Sequence, residues 1–199
     1  MIVNYLKNPS KAFEEVKESD LKETIGIQAL VSVIFTINTF IGLDMLKKMD
    51  LVIKGPEAIT TILSFEAANL GIAAFFIVFI GGLFFGWIMK IIMNMLGGDG
   101  DYFEGLVTVA YPLLLGAIGI LVAMVVSYIP TVGIGLTFLT IAAFIAAAYA
   151  SLFRFASEMF EVKMITAFIG VTILFAVIMV SIYGSLATTA SGLTSILPA

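Results

Sequence analysis

The chain has 199 residues, of which 61% are hydrophobic and 12% charged, with a formal net charge of −4. An average soluble domain is about half apolar and a quarter charged, so at a mean hydropathy of +1.14 lipid must be the solvent for most of this chain. The acidic balance excludes a nucleic-acid binder; the absence of Cys excludes disulfides and thiolate sites; and the absence of His removes the commonest general base and metal ligand, so no cofactor is expected.

Residues 1–24 are polar, with Lys7, Lys11, Lys17 and Lys22 set against Glu14, Glu15, Glu18, Asp20 and Glu23. Asn8-Pro9 is a helix start, Asn as the cap and Pro at the first helical position. From there Phe13 and Val16 share a face opposite the charges. The pattern predicts an amphipathic helix that lies in the headgroups or packs on the ends of the spans. Being nearly charge-balanced, it is not expected to read anionic lipid strongly. No secretory leader is expected, because the first apolar run starts late and is long enough to span.

Five apolar stretches follow, over about 25–43, 67–93, 103–127, 132–153 and 164–186. About 20 helical residues cross a hydrocarbon core of ~30 Å. The runs lack the dyad alternation of a barrel, and only helices satisfy every backbone group within one segment. The predicted fold class is all-α: a polytopic membrane bundle of five transmembrane helices plus an N-terminal amphipathic helix. Its expected divisions are a cytoplasmic segment 1–24, a membrane domain 25–190 and a tail 191–199. With the N-terminus inside, seven basic residues (Lys7, Lys11, Lys17, Lys22, Lys90, Arg154, Lys163) are cytoplasmic and three (Lys47, Lys48, Lys54) are outside, which orients the chain N-in and C-out. A prokaryotic plasma membrane fits best.

Local signals follow in chain order. Gly55-Pro56 starts a helix that brings Glu66 and Asn69 to i, i+3. Glu66 falls at the outer interface, or, if the span begins earlier, inside the bilayer, where an acid is a functional candidate. Gly97-Gly98-Asp99-Gly100-Asp101 contains the letters G-x-G-D of intramembrane aspartyl proteases. The nearest acid on an earlier span, Asp44, falls on the opposite side, so a proton-sharing dyad is not expected. The run reads as a tight glycine turn, and Asp101 and Glu104 are spaced as a capping box. A weak divalent-cation site from Asp99, Asp101 and Glu104 is the alternative.

Tyr111-Pro112 is expected to kink the third span. Gly82-x-x-x-Gly86, Gly116 with Gly119, and Ala142, Ala143, Ala146, Ala147 and Ala150 form small-residue faces that let helices approach closely, within the chain or in a homo-oligomer. Arg154 and Glu158 are four apart on one helical face, an interfacial ion pair or a contact point for a partner. Gln28, Asn38 and Asn69 are expected to make interhelical hydrogen bonds. The scarcity of ionisable groups deep in the spans argues against an ion-coupled transporter.

The order of features resembles the Yip family (Ypt-interacting proteins) in its short prokaryotic form. The matching pieces are Asn8-Pro9-Ser10-Lys11-Ala12-Phe13-Glu14, then Gly97-Gly98-Asp99-Gly100-Asp101-Tyr102-Phe103, then Val109-Ala110-Tyr111-Pro112 and three closely spaced last spans. The resemblance implies five membrane helices with a cytosolic N-terminus. It also implies a role in binding prenylated small GTPases and partner membrane proteins during membrane traffic and shaping. Eukaryotic relatives carry a long cytosolic N-terminal region with a D-L-Y-G-P motif; this sequence has neither, which weighs against the GTPase-binding part. The expected function is therefore a non-enzymatic membrane scaffold or adaptor whose partners are the lipid bilayer and other membrane proteins. A small transporter, channel or lipid-moving protein is the second reading, and an aspartyl protease the third.

Overall fold

The computed structural model describes residues 16–17, 19–48, 67–129 and 132–194, and the side chains of these except 44–48, 67–68, 134 and 181–194. The expected helix around Phe13 and the position of Glu66 lie outside the described residues. Among those residues the chain is all-helical: α1 (Leu21–Lys48), α2 (Ala67–Met95), α3 (Tyr102–Ser127), α4 (Gly133–Met159) and α5 (Met164–Thr194). The first four are long and apolar enough to cross a membrane, and α5 carries an apolar stretch over Met164–Val180.

Each helix edge has a local cause. α1 begins four residues before the apolar run, because Asp20 caps it: the Glu23 N–H donates to Asp20 Oδ1 at 2.8 Å, satisfying one of the open donors of a first turn. α2 ends in a Schellman motif. Gly97 takes φ +87°, a left-handed angle glycine adopts without penalty, and the Gly98 N–H reaches back to the Met93 carbonyl at 2.9 Å. This is the expected glycine turn. α3 opens on the expected capping box of Asp101 and Glu104. It runs unbroken through Pro112, although proline cannot donate to the Thr108 carbonyl one turn earlier. α4 extends past the expected boundary at residue 153. Arg154 and Glu158 belong to its last turns, and the apparent charged break is a helix end. The helix stops where Glu161 takes φ +52° and the Val162 N–H bonds the Ser157 carbonyl at 2.9 Å, the same motif as at Gly97 but without a glycine.

α3 is the central helix. It packs on α1, α2 and α4, while α5 bridges α4 and α2. Its buried residues run without a gap from Gly105 to Pro112 and continue through Leu114, Leu115, Ala117, Gly119 and Ala123. The core cluster joins these to Met89, Met93, Phe155, Phe160 and Val171, and to Val16, which is fully buried. By contrast Ile72, Phe76, Ile80, Phe84, Trp87 and Ile91 form an exposed stripe along α2. An apolar face of that length is what a membrane, and not water, covers.

Polar groups inside the bundle are few; the amide nitrogens are bonded, while Gln28 Oε1 and Asn38 Oδ1 have no partner among the described residues. Gln28 Nε2 donates to the Val78 carbonyl of α2 at 2.8 Å, and Asn38 Nδ2 to the Ala117 carbonyl of α3 at 3.0 Å. These are the interhelical bonds expected of both amides. Ser32 instead returns its hydroxyl to a carbonyl one turn back on α1, while the Thr36 hydroxyl lies 2.9 Å from the Ser32 carbonyl and 3.3 Å from the Gly71 carbonyl of α2.

Candidate functional site

Two regions qualify: a platform at the end of the bundle where α1 starts, and a groove in its middle. The platform is built by two loops. The Asp99 N–H donates to the Phe160 carbonyl at 3.2 Å, joining the α2–α3 loop to the α4–α5 turn. A side chain on Gly98 or Gly100 would run into Phe160, so the glycines are there for close approach as well as for the turn. Asn94 Nδ2 holds the Gly100 carbonyl at 2.9 Å, and Ser157 Oγ holds the Val162 carbonyl at 2.7 Å. Exposed charges stand on this frame: Asp99, Asp101, Glu161 and Lys163.

The acids do not converge. The Asp101 carboxylate is 90% exposed and meets Lys90 Nζ at 3.3 Å, while the Glu104 carboxylate turns back to accept the Asp101 N–H at 2.7 Å. Among the described residues there is no group of three or more acidic side chains that could hold a metal ion, so the structure does not bring Asp99, Asp101 and Glu104 together. Asn38 of α1 lies level with Ala117 of α3, itself about 24 Å of helix rise from Asp101. Asp44 lies further along α1 still, so the two acids of the protease reading are at opposite ends. Arg154 Nε donates to Glu158 Oε1 at 2.9 Å, forming the expected i, i+4 pair at a partly exposed site. Asn69 sits exposed in the first turn of α2.

Tyr111 and Pro112 are both buried. Tyr111 stacks on Phe155 of α4 with centroids 5.6 Å apart. Pro112 faces a groove of about 530 Å³ bounded by α2, α3, α4 and α5, with Phe35 of α1 also on its wall. Leu113, Phe144, Ile145 and Phe175 are among its walls; among the described residues no charged residue lines it, and Tyr149 is the only polar side chain on it. Chemically such a hollow can hold hydrocarbon and little else, since apolar cavities stay dry.

Sequence reasoning did not find this groove. It grouped Gly116 with Gly119 as one close-packing face. The structure divides them: Gly119 is crowded by Phe144 of α4, whereas a side chain on Gly116 would meet nothing within 4 Å. Gly82 and Gly86 do pack closely, against Gln28 and against Leu106 respectively. The alanines at 142, 143, 146, 147 and 150 are all exposed, so that small-residue face is not used among the described residues. The available signal was the helical offset of the two α3 glycines, three residues apart and therefore about 60° from one face.

Comparison with known families matches residues 3–185 to the Yip1 domain. Comparison with curated proteins and with solved structures gives no match. An all-helical bundle with four membrane-length apolar helices, matched over nearly its whole length, belongs to the Yip1-domain family of membrane proteins.

Proposed function

We propose that this chain is a membrane scaffold of the Yip type, without catalysis, that presents a rigid cytoplasmic platform to partner membrane proteins. The observation that carries the reading is the platform itself: two loops joined by the Asp99–Phe160 backbone bond, with charged side chains on the outside and a fully buried Phe160 beneath. A fixed surface of this kind presents charges at low entropic cost to a partner. In this reading all five helices span the membrane, residues 1–24 form the cytoplasmic segment and residues 191–199 the outer tail, and the host is a prokaryotic plasma membrane. Small GTPases enter as partners only through the family. Cross-linking of the protein in mild detergent, followed by capture of the adducts, tests this. Adducts formed through Asp99, Glu161 or Lys163 are the expected result. A strict monomer that captures no membrane partner and leaves liposomes unperturbed would overturn it.

The second reading, a transporter or lipid-moving protein, gains from the groove only on the lipid side, because hydrocarbon walls oppose the passage of ions. A fluorescent-lipid scrambling assay in liposomes decides it, and rates equal to empty vesicles would remove it.

A further inference from the structure

The glycines of the bundle fall into two kinds. Gly82, Gly86, Gly105 and Gly119 are crowded, and a Cβ on any of them would press into a neighbouring helix. Gly81 and Gly116 are not. They line the groove from α2 and from α3, beside the crowded Gly82 and Gly119; a Cβ on Gly116 would meet nothing within 4 Å, and one on Gly81 only the edge of Phe85 at 3.9 Å. A glycine inside a helix is less stable than an alanine, and close helix contact is the usual return. These two make no such contact. What they contribute is space.

The space has the dimensions of a lipid chain. Its volume of about 530 Å³ lies within the range of roughly 300–1,000 Å³ typical of small-molecule sites. It follows α3 from Val109 to Ile120, about 16 Å of helix rise, close to half of a ~30 Å hydrocarbon core. Its rim is continuous with the lipid-facing surface: Ile77, Ile145 and Tyr149 line the groove and are 71%, 51% and 42% exposed. Any occupant therefore enters sideways from the bilayer, where phospholipid tails already touch the rim.

We propose that the groove is a slot for one acyl chain of a membrane phospholipid, held between α2, α3, α4 and α5 with Phe35 of α1. This inference goes beyond the scaffold reading and stands without it. The test uses the full chain reconstituted in phosphatidylcholine vesicles containing a phosphatidylcholine with a diazirine at the end of one acyl chain. After photolysis, adducts are mapped by mass spectrometry. Adducts are expected on recessed groove walls, such as Leu113 and Phe144, in addition to the exposed stripe at Phe76 and Phe84. In Gly116→Leu and in Gly81→Leu, which fill the slot from opposite walls, the groove adducts should be lost and the stripe adducts kept. Elution volume and helical circular dichroism report the fold of each variant. Adducts confined to the stripe in the unaltered chain would overturn the proposal, and that map decides even if a variant misfolds. Groove adducts that persist in both folded variants would also overturn it. So would their suppression by added farnesol, which would assign the slot to an isoprenoid.

Discussion

α3 and α4 are nearly matched in composition. Their apolar spans are Tyr102–Ser127, 26 residues at mean hydropathy 2.5, and Gly135–Met159, 25 residues at 2.0. Half of the most apolar window of α3 is buried inside the protein, and none of that of α4. Hydropathy locates a crossing helix, but size and placement of side chains decide where it stands. α3 brings Gly105 against the Gly86 backbone, accepts a hydrogen bond from the Asn38 side-chain amide at the Ala117 carbonyl and stacks Tyr111 on Phe155. α4 turns Ala142, Ala146 and Ala150 outward and reaches its neighbours through rings: Tyr149 lies 5.1 Å from Phe175, and Phe153 lies 5.4 Å from Phe168. Backbone-to-backbone contact on one side and ring contact on the other leaves the groove between them.

The largest expected effect breaks the packed side. Gly105→Leu would drive a side chain into the Gly86 carbonyl, and overpacking of this kind costs about 3 kcal/mol or more. The expected outcome is loss of the monodisperse folded protein on size exclusion, whereas Gly116→Leu elutes normally. If both behave alike, the division of the glycines is wrong.

Next comes Asn38→Asp. It places a carboxylate where a 95%-buried amide now bonds Ala117, at a cost of about 3 kcal/mol, read as a lower melting temperature in detergent at neutral pH. Asn38→Leu is the sharper probe. Asn38 Oδ1 is buried without a partner among the described residues, and exchanging a half-satisfied amide for a same-sized apolar group can be nearly neutral. A large loss in Asn38→Leu would mean that the bond to Ala117 holds α1 in place.

Smaller effects are expected at the platform. Glu161 occupies a left-handed angle that costs a non-glycine residue about 1 kcal/mol. Glu161→Gly should therefore raise the melting temperature by a few degrees, roughly the shift that 1 kcal/mol gives; an unchanged or lower value would show that the side chain repays its strain. Glu158→Gln weakens only the half-exposed pair with Arg154. That pair should contribute about 0.5 kcal/mol or less, so the melting temperature should stay within error, and a clear drop would mark a buried role for the pair.

Much of the fold was legible before any coordinates. Each of the five helices falls on one of the five apolar runs, because apolar length is the same physical quantity in both. The Gly97 turn and the Asp101–Glu104 box were legible because each is local. Two helices run past their apolar stretches for a local reason as well: Asp20 followed by Glu23 is itself a capping pattern, and Arg154 and Glu158, four apart on one face, continue α4. The groove was not legible. It depends on which way Gly81 and Gly116 face among the surrounding helices, and spacing along one helix cannot report that.

The central claim is that the hollow inside this bundle belongs to hydrocarbon and not to water. The chain has no Cys, so Gly116→Cys can carry a single spin label, with Asp99→Cys as the solvent-exposed reference. Collision rates with oxygen and with a water-soluble nickel chelate, measured in liposomes, read the surroundings directly. The account predicts frequent collisions with oxygen and almost none with nickel at position 116. Nickel accessibility there approaching that at position 99 would contradict it.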